Sequence, residues 1–491
     1  MLRSLIVGVL TLSALRASAS GQIDRAHGVD DLELVARKGP LVIYTPFASY
    51  GGAVYFGASD LASGEQLWRS DGTAEGTRKV RDFNPIGYPP PEGFAVAGSR
   101  LFFFVDGGLW RVDPSGQVAL VANLPLSTRP FAVSAAGSQL FFSIDDGVHG
   151  VELWTSDGTS EGTFLVSDIQ PGAEGSGPAM LTPLADALFF FASDSVGGYS
   201  LWRTDGTASG TQRVRSLPGA GIGDGLVATL PGTLLFVTGD LNNVAHPFQL
   251  WRSDGTPEGT FPLADFVGDS GSICPGYCFP YGPSDLTALG NVVLFIANDG
   301  AHGRELWKTD GTRDGTTLVK DIFPGAERGI YSGLLHAGGL VFFNAEDPEH
   351  GAQLWRSDGS DAGTGLVKNI APGRPTSSLA FPIAAVGNRA LFVVGGFNEL
   401  FATDGTAAGT GTIHDFGPSQ PGSPYLIGFS PLGDGELLFV HGDGFALGLW
   451  KTDGTKNGTT PVPVEALRTP RNEVVPVESH PPVPRVAPPR R

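Results

Sequence analysis

The stretch LWKTDGTRDGT, residues 306–316, decides how this chain is read. Leu and Trp suit a pleated, half-buried strand, Asp-Gly supplies the positive φ of a tight turn, and the second Gly-Thr returns the chain to an extended path. The same wording recurs, for example as LWRSDGTAEGT at 67–77. All eight tryptophans, Trp68, Trp110, Trp154, Trp202, Trp251, Trp307, Trp355 and Trp450, follow a Leu, and Phe401 takes their place in a ninth copy, LFATDGT. Successive copies are 42, 44, 48, 49, 56, 48, 46 and 49 residues apart, a self-similarity that marks a repeat architecture. In eight copies an Asp is followed five positions later by Gly. These are Asp71, Asp157, Asp205, Asp254, Asp310, Asp358, Asp404 and Asp453, whereas the second copy, LWRVDPSG at 109–116, departs from the pattern.

Upstream of each copy lies an aromatic run such as LFFF at 101–104 and 188–191 or LVFF at 340–343. Each unit reads as four short strands, as in 334–338, 340–345, 352–357 and 364–370. A sheet with one wet face would alternate apolar and polar residues, so consecutive apolar positions imply sheets covered on both faces. Four antiparallel strands in such a period match a propeller blade, while a solenoid coil would be shorter and a sandwich would not repeat nine times. The expected fold is all-β, one closed β-propeller of eight or nine four-stranded blades, because no linker-like break separates adjacent units. The tryptophans are expected to fill the gaps between neighbouring blades.

VELWTSDGTSEGT at 151–163 and RELWKTDGTRDGT at 304–316 resemble the bacterial ELWxxDGT repeat family, a resemblance that extends from residue 50 to residue 460. It implies an exported repeat protein of β-propeller type with no assigned chemistry. The second and eighth copies depart from that family's pattern.

Composition agrees with a turn-rich β protein. The chain has 71 Gly and 38 Pro in 491 residues, with 41% hydrophobic and 10% aromatic residues, enough for a core and too Gly/Pro-rich for long helices. A net charge of −18 lacks the positive field that gathers polyanions, which argues against nucleic acid or anionic membrane as partners. Residues 1–19 have the order of a secretory signal, with Arg3, an apolar run and small residues at Ala17 and Ala19. A lead-in at 20–40 then precedes a propeller at 41–460 and a Pro-rich tail at 461–491, whose composition suits extended disorder. No later segment is long and apolar enough to span a bilayer as a helix. A secreted or envelope-located, monomeric protein is expected. In that setting Cys274 and Cys278 are expected to form a local disulfide.

In a four-stranded blade the turn between strands two and three emerges on the same face as the crossover to the next blade. Those loops vary in length here, from VDGG at 105–108 to GDLNNVAHPF at 239–248 and the crossover GDSGSICPGYC at 268–278. The opposite face, with its Asp-Gly turns, is uniform. Recognition belongs on variable loops, so Asn242, Asn243, His246, Tyr277, His149, His302 and His350 are candidate binding residues. Asp146, Asp194, Asp299 and Asp347 share one repeat register, as a structural role predicts.

Other patterns are weaker. The eight Asp-Gly turns could attract Ca²⁺, but an Asp in such a turn usually bonds nearby backbone N–H groups, and no DxDxDG cluster gathers enough oxygens. No metal or cofactor is expected. GDSG at 268–271 lacks the companion His and Asp context that a nucleophilic Ser requires. The basic residues after the tryptophans, such as Arg69, Arg111, Arg252 and Lys308, are expected to lay their stems on the blade and reach water. The leading expectation is a non-catalytic scaffold that binds protein or glycan through its variable face. The alternative is a secreted carbohydrate-active hydrolase or lyase with an axial active site.

Overall fold

The computed structural model describes residues 42–60, 64–83, 90–124, 130–194, 198–217, 221–222, 228–239, 247–268, 282–325, 328–370, 380–394, 399–417, 425–442 and 447–463. The signal segment, the lead-in, nearly all of the Pro-rich tail, Cys274, Cys278, Asn242, Asn243, His246 and Tyr277 lie outside them. Among the described residues every regular element is a strand. Nine antiparallel sheets follow one another along the chain and form a nine-bladed β-propeller, one blade more than the usual range. Blade 1 consists of Val42–Tyr50, Ala53–Asp60, Gly64–Ser70 and Arg78–Asp82. Blades 2 to 9 occupy 92–123, 132–167, 179–217, 221–266, 284–320, 330–368, 380–415 and 425–461. In blade 5 the first strand is divided into Gly221–Ile222 and Ala228–Leu230, both paired with the second. At seven of the nine seams the first strands of successive blades touch, which places them around the axis.

The second strands show why the aromatic runs do not alternate. In Arg100–Val105, Leu101 and Phe103 pack backward onto Tyr55 and Leu67 of blade 1, while Phe102 and Phe104 pack forward onto Leu140 and Phe142 of blade 3. Both faces are interblade faces. The third strand repeats this logic, with Leu109 facing forward and Trp110 facing back. Nine apolar clusters each join two consecutive blades, and the ninth joins blade 9 to blade 1. Each tryptophan, or Phe401 in blade 8, lies in the cluster its blade shares with the preceding one. Trp68, Trp251 and Trp355 are buried, and the other five tryptophans are half-buried.

One feature of the packing has no obvious sequence signature. At the Leu-Trp step of seven blades, and at Leu400-Phe401 of blade 8, the pairing with the outer strand slips by one residue, so that Leu306 faces Lys320 while Trp307 faces Leu318. The extra residue of each bulge is apolar: Val121, Val166, Val214, Leu263, Val319, Val367 and Ile413 are buried, and Val80 of blade 1 is half-buried. A bulge adds local twist, and here it also turns a side chain of the outer strand into the forward interface.

The ring closes without exchange of strands, because every sheet is built from one contiguous stretch. Phe56 and Trp68 of blade 1 pack with Leu438, Val440 and Val462 of blade 9, and Ser49 Oγ lies 2.9 Å from Ser430 Oγ. Closure therefore uses the same side-chain packing as every other seam. Trp355→Ala, at 6% exposure, should lower stability by about 3 to 5 kcal/mol through the cavity it leaves. The half-buried Trp202→Ala should cost less, and equal losses of denaturation midpoint in the two variants would contradict this ranking.

Candidate functional site

The Asp-Gly turns are the most repeated chemical feature, and their carboxylates are spent locally. In blade 6, Asp310 Oδ1 accepts the Thr312 N–H at 2.9 Å and the Thr312 hydroxyl at 2.6 Å. The Gly315 N–H then donates to Thr312 Oγ1 at 2.9 Å, and the Thr316 hydroxyl donates to the Thr312 carbonyl at 2.7 Å. Thr309 completes the network by accepting the Gly311 N–H at 3.0 Å. Asp310, Gly311, Thr312, Gly315 and Thr316 thus all take part in one network. The second Gly is required by space, because a Cβ on Gly315 would stand 2.0 Å from Asp310 Oδ1, and the other seven regular copies share this crowding. All eight carboxyls are held below the ordinary carboxylate range. At seven of them the largest cause is the hydroxyl two residues on. At Asp71 burial pushes upward and the Thr73 bonds outweigh it.

The turn also locks the seam behind it. Gly311, at φ +87°, presents its bare Cα to Leu230 of blade 5. Its carbonyl accepts from Arg252 of blade 5 at 3.3 Å. Lys308 bonds the Gly359 carbonyl at 3.1 Å, and Arg111 bonds that of Gly158. These charged ends therefore cap the next blade's turn, whereas the sequence suggested that they reach water. A turn carbonyl left with lone pairs near the seam is the better partner, and only the ring brings it within reach.

The opposite face carries a second recurring unit. His149, His302 and His350 sit in the turns between strands two and three of blades 3, 6 and 7. Each Nδ1 meets an Asp three residues earlier: Asp146 Oδ2 at 2.7 Å, Asp299 Oδ2 at 2.8 Å and Asp347 Oδ2 at 2.9 Å. The Asp bond raises each imidazole above its ordinary pKa. The three histidines belong to separate blades, and among the described residues no three His, Cys, Asp or Glu side chains gather at metal-holding distance. Asp194, in the same register, pairs instead with Arg213 at 2.8 Å.

The residue before Leu-Trp was not singled out by sequence reasoning, although its recurrence as Glu or Gln was a visible signal. Glu152 is fully buried and accepts the N–H groups of Gln170 and Ser176 at 3.0 and 2.9 Å and the Ser176 hydroxyl at 2.5 Å. Glu305 accepts the Ile322 and Phe323 N–H groups at 3.0 and 2.9 Å. Gln66 and Gln353 do the same for Phe83 and Ile370 at 2.7 and 3.1 Å. These side chains pin the crossover segments beneath the variable face. Burial is the largest cause of the rise at both glutamates, and Glu305, with Asp321 nearby, is pushed up to about 8.

No protein-family model matches the chain, and no curated protein matches it. Among solved structures it is similar to a puromycin hydrolase at 15% identity, covering 73% of this chain and 59% of that one, with a TM-score of 0.36. It is also similar to an oligogalacturonate lyase in complex with manganese, at 12% identity, 67% and 94% coverage and a TM-score of 0.37. A third is oligopeptidase B from Leishmania major, at 10% identity, 72% and 52% coverage and a TM-score of 0.40. The chain thus spans little more than half the length of the puromycin hydrolase and of the oligopeptidase. None of these likenesses bears on the chemistry of this chain.

Gly315→Ala should destabilise the fold by about 2 kcal/mol or more, because carboxylate and methyl cannot share one place. Gly365→Ala, with open space around its Cα, is the control, and equal unfolding midpoints for the two would contradict the steric account. Glu305 yields a pH test. Its carboxyl ionises above 4.5 when unfolded but stays protonated to about 8 when folded, so its contribution is present at low pH and withdrawn as pH rises between those values. Glu305→Gln should match the parent near pH 5 and exceed its stability by about 2 kcal/mol at pH 8. Parallel stability–pH curves would rule this out.

Proposed function

We propose that this chain is an exported, non-catalytic β-propeller of the ELWxxDGT type that binds a protein or glycan partner through the crossover face. The contrast between the two faces carries this reading. On one, eight aspartates are consumed by their own turns. On the other, loops vary in length and two apolar side chains of blade 3 stand in the open, Phe131 at 69% and Val148 at 68% exposure. Phe131 directly precedes the first strand, Ala132–Ala136, and Val148 lies in the turn beside His149, so both belong to the crossover face. An exposed aromatic with a neighbouring aliphatic group suits a sugar ring or an apolar side chain of a partner.

An axial active site finds less support. The carboxylates of the described first strands are Glu92 and Asp285, on blades 2 and 6. Asp285 is engaged by the Ser284 hydroxyl at 2.9 Å and by the Gly333 N–H of blade 7 at 3.2 Å. That carboxylate serves the seam between two blades rather than a reacting group.

The test pairs Phe131→Ser/Val148→Ser with exchange of loops 239–248 and 268–283 for short turns. Binding of the purified chain to a panel of polysaccharides and envelope extracts should fall at least about tenfold in both variants, the scale set by losing a buried aromatic anchor. Undiminished binding would refute the assignment of this face, and turnover of a polysaccharide abolished by Glu92→Gln would favour the enzyme.

A further inference from the structure

The irregular second copy has a structural consequence on the face of the Asp-Gly turns, away from the proposed binding loops. At regular seams the turn of one blade fills a notch in the blade before it. A Cβ on Gly158 would come within 3.1 Å of Phe102, on Gly405 within 2.6 Å of Leu340, and on Gly454 within 2.7 Å of Val386. In blade 2 the turn joins Gly108–Val112 to Val118–Asn123 through the five residues Asp113–Gln117, against seven in blade 1. Its Gly116, although at φ +81°, has nothing within 4 Å. The notch on blade 1 is left open.

What remains is a cleft of about 350 Å³, within the size range of small-molecule sites. Three arginines line it, Arg69, Arg78 and Arg81, with Tyr55 in its wall and Ser115 and Gly116 across the seam. Three clustered cations are unusual on a chain of net charge −18. Their engagement explains their availability. Arg69 stands where Arg111, Arg252 and Lys308 stand in their blades, but no regular turn offers it a Gly carbonyl. Its closest acid is Asp71 Oδ2, at 3.8 Å from Nη2. Arg81 is held in place, with Nη1 donating to the Val118 carbonyl at 3.2 Å and its guanidinium 4.6 Å from the Trp110 ring centre. Arg78 is exposed and makes no ion pair among the described residues. Asp113, the acid of the short turn, is occupied by the Ser115 hydroxyl and N–H and by the Gln117 N–H. Val80 fits the same picture, since it is only half-buried whereas its counterparts in seven other blades are buried.

We propose that this cleft is an anion site for an acidic sugar, a carboxylate carried on a polar body of monosaccharide size. Planar guanidinium groups pair with carboxylate oxygens in bidentate fashion, and such charge-assisted bonds exceed neutral ones in strength. The cleft exceeds the size of a bare inorganic ion, and its polar walls suit hydroxyl groups.

Isothermal titration of the full chain with glucuronate, glucose and inorganic sulfate tests the site. Saturable binding of glucuronate, weakened by sulfate and at least about tenfold tighter than that of glucose, is expected. Arg78→Gln removes one exposed cation, and should reduce glucuronate affinity about tenfold with an unchanged unfolding midpoint. Replacing Asp113–Gln117 by the regular sequence DGTAEGT fills the notch while keeping every arginine, and should abolish binding. The loop exchanges on the crossover face should leave it intact, which separates this site from the proposed function. Glucuronate bound no better than glucose, or binding that survives both Arg78→Gln and the filled turn, would overturn the proposal.

Discussion

The aspartate that closes each turn between strands three and four is the constraint on which the ring depends. Its carboxylate draws in the amide and hydroxyl two residues on, and that hydroxyl in turn holds the next Gly. The turn becomes rigid without help from any other part of the chain. A rigid turn can then act as a wedge. It sets a bare Gly Cα against the preceding blade and offers that blade's basic side chain a carbonyl. Without this local closure, the seam would have to order a flexible loop at an entropic cost for each blade.

Between the wedges the apolar packing is directional but not specialised. Second and third strands alternate forward and backward as any strand does, and because both directions meet another blade, both must be apolar. The outer-strand bulge supplies an extra forward contact and the twist that lets flat sheets fan around an axis. Every seam is built alike, including the one between blades 9 and 1, so the ring closes by packing alone.

Recognition and structure divide the molecule by face. Buried Glu152 and Glu305, with Gln66 and Gln353, hold the crossovers from below and leave the tops of those loops free to differ. Gln shows that the charge is dispensable, since it accepts the same backbone N–H bond. The Asp–His pairs have an equally local logic, each turn carrying its own acid and its own imidazole. The one irregular turn between strands three and four, that of blade 2, leaves an opening where the other seams are filled.

By itself the sequence determined the all-β class, the repeated unit and its two-sided burial, because these follow from period, turn chemistry and consecutive apolar residues, all of which are local. It also showed the Asp-to-Gly spacing, whose steric cause lies within a single turn. It left the number of blades between eight and nine, since ring size depends on the angle at each seam, and only the tertiary structure decided on nine. Likewise, Arg111 and Lys308 look like solvated residues until the next blade brings a carbonyl to them, and Arg69 looks equivalent until its blade meets a turn too short to reach it. The physical reason is the same in each case. Hydrogen bonds within a turn are written in adjacent residues, whereas contacts across a seam join residues about 40 to 60 positions apart, and far more at the closing seam, and their partners exist only once the ring has formed.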